Sequence, residues 1–144
     1  MSNPSHSIAR RDVSLAGAQR AIAAAIEAAE GMGLQVCIAV CDGGGNPVAS
    51  VRMDGAPLLS LDIAINKAWT VTQFNGMPTS KWWSVIEDEP SLVHGITHTP
   101  RLVVFGGGEP ILIDGAVAGA VGVSGGSSEQ DAAVATAGTS ALLG

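Results

Sequence analysis

Charge is scarce in this chain of 144 residues: Lys and Arg number 7, Asp and Glu 13, and together they make up 14%, where soluble domains carry about 25%. No run of basic residues exists, the formal net charge is -6, and only five residues are aromatic, namely Trp69, Phe74, Trp82, Trp83 and Phe105. Both the phosphate-neutralising patch and the stacking surface of a nucleic-acid binder are therefore missing. No stretch reaches about 18 uninterrupted apolar residues, which excludes a membrane-spanning helix. The opening MSNPSHSIARRD holds no apolar core with a cleavage site, so the chain is expected in the cytoplasm. Cysteine is equally sparse. Cys37 and Cys41 sit four apart in an expected strand, about 13 Å at strand rise, too far for a disulfide. They read as small buried hydrophobes.

Apolar residues make up 47% of the chain, and glycine is abundant at 19. The length suits one domain with a core of small aliphatic side chains. With so few charges on so apolar a chain, part of the surface calls for cover by another copy, which predicts a homo-oligomer.

Residues 1–13 read as an N-terminal arm and 14–144 as a single domain. Ser14 caps an amphipathic helix over 14–30, with Leu15, Ala18, Ile22, Ala25, Ile26 and Ala29 at helical spacing. Val36 to Cys41 is apolar on both faces and predicts a central strand. The turn chemistry of Asp42 to Asn46 then folds 47–53 back as a hairpin. Ser60 is expected to cap a helix reaching about Phe74, with Ile65, Ala68, Trp69 and Thr72 as its buried stripe. A short helix carries Trp82 and Trp83, and 90–101 reads as a loop. Arg101–Phe105 and Glu109–Ile113 predict strands, and Asp114-Gly115 turns the second into Ala116–Ser124. A final helix starts at Ser127 or Ser128, where Ser128 and Asp131 have capping-box spacing. Hairpins separated by helices predict an α+β fold with helices packed on an antiparallel sheet.

Two catalytic motifs fail. Gly122-Val123-Ser124-Gly125-Gly126 matches G-x-S-x-G, but His6, His94 and His98 all precede the serine, and the strand is half of a hairpin. No glycine is followed by lysine, so the phosphate-binding loop is absent. What remains is a constellation. The hairpin brings Gly106, Gly107 and Gly108 beside Ser124, Gly125 and Gly126 at a helix N-terminus, a place suited to a carboxylate or phosphate. The competing reading is that these glycines only permit tight turns and close packing. His94 and His98 have i, i+4 spacing, but Gly95 and Pro100 oppose a helix there; singly, each is a candidate axial ligand for a haem or corrinoid, as are Cys41, Met53 and Met77. Lys67, on the outer side of its helix with Asn66 and away from the buried stripe, reads as a desolvated base or an anion anchor, and the structural alternative is that it snorkels or pairs with a carboxylate such as Asp54 or Asp62.

Taken in order, Asp42 with Gly45-Asn46-Pro47, Arg52-Met53-Asp54-Gly55-Ala56, Lys67-Ala68, Gly107-Gly108 with Pro110, Gly115, Gly119 to Gly126 and Gln130-Asp131 resemble the GlcG/HbpS family, which includes the C-terminal domain of PduO-type corrinoid adenosyltransferases. The resemblance runs from Ser14 to Gly138. It implies a profilin-like α+β fold, tetramers or octamers, and binding of a small molecule or tetrapyrrole. The expected function is a cytoplasmic homo-oligomeric binding protein for haem, a corrinoid or another carboxylate-bearing compound, contacted by Arg52, Lys67, Gly107, Gly108, Ser124, Gly125 and Gly126. Two alternatives stand beside it. One is a catabolic enzyme moving a proton with Lys67 and Asp54 while Arg52 anchors the substrate; the other is a purely structural assembly module.

Overall fold

The computed structural model describes residues 4–143; residues 1–3 of the expected arm and Gly144 of the expected domain lie outside the described residues. Four strands form one antiparallel sheet in the order β2-β1-β4-β3. They are β1 (Cys37–Asp42), β2 (Pro47–Arg52), β3 (Gly108–Ile113) and β4 (Ala116–Ser124). Among the described residues five α-helices accompany them: α1 (Leu15–Gly31), α2 (Leu59–Gln73), α3 (Trp82–Ile86), α4 (Pro90–Gly95) and α5 (Ser128–Ser140). This is the α+β architecture expected from the sequence.

One face of the sheet holds the main core. Val36, Ile38, Val40, Ile111, Val121 and Val123 pack there against Ala18, Ile22 and Ala25 of α1 and Val134 and Ala135 of α5. Ser14 caps α1 as expected, accepting from the Gly17 amide at 3.0 Å. On the other face lies α2. A Cβ at Gly122 would overlap the Ala64 carbonyl and sit 2.7 Å from the Ala68 amide nitrogen, so the helix backbone rests on the sheet. The small-residue face of β4 is thus occupied by a helix rather than by a flat ligand. Residues 4–13 form no helix or strand. They are tied down where the Val13 amide donates to the Ala118 carbonyl, 2.9 Å, and the Gly43 amide to Asp12, 2.9 Å.

Four local expectations are corrected. Arg101–Phe105 is no strand: Arg101 has φ 66, the Val103 amide donates to the Thr70 hydroxyl at 3.1 Å, and that hydroxyl donates its one proton to the Asn66 carbonyl at 2.8 Å, with the Arg101 carbonyl a more distant acceptor at 3.3 Å. A helix side chain takes the hydrogen bond that a neighbouring strand would supply. The expected loop at 90–101 contains α4, with Pro90 at its first turn, and a 3-10 turn over Ile96–His98, since proline opens a helix at the position where no amide is needed. Ser60 is not a cap; it lies inside α2, buried, and the cap position falls on Leu58 without a side-chain bond. At α5 the capping box is Ser127 with Gln130, one residue before the expected pair, which frees Asp131 for another role.

Both cysteines are free and buried. Burial pushes the Cys41 thiol up to about 11 and raises Cys37 as well, against the pull of Arg52. Thiolate is therefore nearly absent at neutral pH. Ellman's reagent at pH 7.5 is expected to label neither cysteine in the folded protein and both in denaturant; rapid native labelling of either would contradict this burial.

Candidate functional site

Lys67 is the largest fully buried side chain among the described residues, 1% exposed. It lies on the inward stripe of α2 with Ser60, Ala64, Ala68 and Val71, not on the outer side where the sequence reading put it. Its ammonium donates to the Val123 carbonyl at 2.8 Å and to Asp131 Oδ2 at 3.0 Å. Asp131 Oδ1 accepts from the Gly126 amide at 2.8 Å. One ion pair thereby ties α2, the end of β4 and the first turn of α5. Burial pushes the Lys67 ammonium down from its ordinary value, against the attraction of Asp131. Gly107, at φ 132, leaves room for it: a Cβ there would stand 2.5 Å from the Val123 carbonyl and 2.6 Å from Lys67 Nζ.

Above this pair is a pocket of about 380 Å³. Phe105, half exposed and with its ring centroid 5.0 Å from Lys67 Nζ, forms one side. Trp83, Val104 and Ala132 supply further apolar lining, Gly106 leaves space, and Ser80, Ser128 and Glu129 supply oxygens. A side chain at Gly106 would strike the Ser128 carbonyl at 2.8 Å. In the Trp82-Trp83 pair, Trp82 turns inward, 4.8 Å from the Phe74 ring, and Trp83 turns out to 57% exposure.

A second pocket, about 580 Å³, opens at the β2 edge, lined by Ile26 and Glu30 of α1, the Gly33–Gln35 link, and Arg52, Met53 and Asp54. Across the sheet, Arg52 pairs in register with Cys37, and Cys37 with Ser124. Both pockets therefore open at the same end of the sheet, at opposite edges, and they share no residue.

The hairpin sets Gly107 and Gly108 beside the end of β4 that leads into Ser124, Gly125 and Gly126, and Lys67 lies against Gly107. The Val123 amide donates to the Gly107 carbonyl at 2.8 Å, and Gly108 lies opposite Gly122. The structure does not join Lys67 to Asp54 or Asp62: the carboxylate paired with Lys67 is Asp131, and Asp54 lies in the other pocket with Arg52. The proton-transfer pair is thus not assembled. The anion place foreseen at α5 exists, but the chain's own Asp131 fills it. His94 lies on α4 and His98 in the following 3-10 turn, both exposed and neither lining either pocket. Among the described residues no group of three His, Cys, Asp or Glu side chains is arranged to hold a metal. Asp131 is the site residue that the sequence reading missed. Its signal, the need of Lys67 for a carboxylate, points by chain proximity to Asp54 and Asp62, whereas the partner stands 64 residues away.

A family model described as "Haem degrading protein HbpS-like" matches residues 13–140. A 15.0 kDa protein of the dhaT-dhaS intergenic region of Citrobacter freundii is 41% identical over 122 residues, 83% of this chain and 84% of that protein. The corrinoid adenosyltransferase PduO of Salmonella typhimurium is 32% identical over 83% of this chain, which spans only 35% of PduO. Among solved structures, Klebsiella pneumoniae ORFY superposes with TM-score 0.91 and 35% identity over 99% of this chain and 100% of that one. A double mutant of Streptomyces reticuli HbpS gives 0.85 and 32% over 100% and 96%. The PduO C-terminal domain in complex with haem gives 0.80 and 29% over 91% and 95%.

Proposed function

The chain belongs to the HbpS-like family, and from that premise we propose that it is a homo-oligomeric, cytoplasmic tetrapyrrole-binding protein that takes haem or a corrinoid on the Phe105–Trp83 surface. The observation that carries this reading is the pairing of two half-exposed aromatic rings with a glycine-cleared pocket. Flat apolar ligands gain most from such rings, and a relative of the same fold was crystallised with haem. Self-association is supported by Leu58, Leu59, Val85 and Leu112, all exposed on a chain poor in charge.

The lining fits the macrocycle rather than its metal. No histidine, cysteine or methionine lines this pocket; Ser80, Ser128 and Glu129 are its side-chain oxygen donors. Haem, when bound, supplies a redox-active iron. The chain supplies stacking area and hydroxyl donors for carboxylate groups. Titration with haem and with metal-free protoporphyrin IX is therefore expected to give dissociation constants within about threefold of each other. Phe105→Ala and Trp83→Ala should each weaken both by about tenfold, the effect of losing one stacking ring. A hundredfold requirement for iron, or indifference to both substitutions, would remove the site from this surface.

A further inference from the structure

The pocket at the β2 edge shares no lining residue with the Phe105–Trp83 surface, and its walls carry a different chemistry. Of the five arginines, four have partners within the chain. Arg10 pairs with Asp12 and Arg11 with Asp114, Arg20 donates to the Ala141 carbonyl, and Arg101 donates to Asn66 and stacks on Trp69. Arg52 alone has neither a hydrogen bond nor an ion pair among the described residues, although Asp54 and Glu30 line the same pocket. Among the described residues these carboxylates make no ion pair within 4.0 Å either. Backbone turns hold the walls: Gly33 at φ 69 ends the turn after α1, and Gly55 at φ 80 turns the chain after β2. Gln35 lies over Gly55, its amide oxygen 2.8 Å from where a Cβ would be, and the Met53 amide donates to the Val36 carbonyl at 3.1 Å.

We propose that this pocket binds an aliphatic α-amino acid. A guanidinium presents paired donors matched to a carboxylate. Glu30 and Asp54 offer acceptors for an ammonium, and Ile26, Leu34 and Met53 offer apolar surface to the side chain. A simple carboxylate would gain Arg52 but bring its charge towards two anions, and a simple amine would leave the guanidinium unmatched. Only a ligand carrying both charges on a small apolar body answers every wall.

The probe is L-leucine, titrated into the 15N-labelled protein, with 4-methylpentanoate and 3-methylbutylamine as analogues that each lack one charged group. Saturable shifts at Gly33, Gln35 and Gly55 are expected with L-leucine in the millimolar range, with each analogue and the Arg52→Gln variant about tenfold weaker or worse. Arg52 is exposed, so the variant should fold, which its thermal melt checks. No saturable shift by about 10 mM, a range that corresponds to a binding free energy near 3 kcal/mol, would overturn the proposal. So would equal binding of L-leucine and 4-methylpentanoate, or an unchanged affinity in Arg52→Gln. None of these outcomes bears on the porphyrin surface, which is read by its own titration.

Discussion

Gly122→Ala is expected to cost about 3 kcal/mol or more, the upper end for overpacking, and Gly122→Val to leave little folded protein. At roughly 2–4 °C per kcal/mol for a domain of this size, the alanine variant should melt about 10 °C lower. The cause is backbone against backbone. The Cβ would enter the Ala64 carbonyl and lie 2.7 Å from the Ala68 nitrogen, and neither atom can rotate away as a side chain would. Two controls separate clearance from other effects. Gly31 has nothing within 4 Å of its would-be Cβ, so Gly31→Ala should stay within about 0.5 kcal/mol. Ser124→Ala removes a hydroxyl that makes no hydrogen bond among the described residues and should cost far less than Gly122→Ala. Equal melting shifts for Ser124→Ala and Gly122→Ala would defeat the argument.

The same close approach explains which parts of the fold could be read from the sequence. The Ser14 cap, the apolar run of β1 and the Asp114-Gly115 turn are local signals, and each appears where expected: Asp114 and Gly115 take φ 50 and 79. The inward stripe of α2 was not local. Helical periodicity admits two stripes there, and the bulkier one, with Ile65, Trp69 and Thr72, looks like the buried one. The sheet face under α2 is built from Ala39, Cys41, Ala120 and Gly122, so it selects the side of α2 with the smallest residues. Ala64 and Ala68 face inward, Trp69 moves to the rim under the Arg101 guanidinium at 4.4 Å, and Lys67 is carried inward with the alanines. Its aliphatic stem packs as a hydrophobe would. Its partner Asp131 stands 64 residues away, beyond any local pattern. For the candidate site, the glycine half was legible because a hairpin register fixes neighbours. The ionic half was not, because only the packed helix identifies the carboxylate.

Lys67→Met should then act through stability before it acts on any ligand. Removing the ammonium leaves Asp131, 2% exposed, with one hydrogen bond and no counter-ion, a situation that costs about 3–5 kcal/mol. The comparison that isolates the cause is Lys67→Met with Asp131→Asn, in which the amide oxygen can still accept from the Gly126 amide while the charge is gone. Chemical denaturation should find the double variant more stable than Lys67→Met alone by about 1–3 kcal/mol, the size of coupling between contacting groups. If the second substitution made matters worse, the loss would lie in packing of the lysine stem. The pH dependence gives a separate reading. Because burial lowers the Lys67 value in the folded chain, the unfolded chain binds this proton more tightly, and linkage makes stability rise with pH between the lowered value and the ordinary lysine value of 10.5. Below that window the cost of burying the charged form is fully present; above it the cost is relieved. The wild-type curve should therefore climb relative to the double variant across the window, and a relative fall there would mean that the attraction of Asp131 outweighs burial.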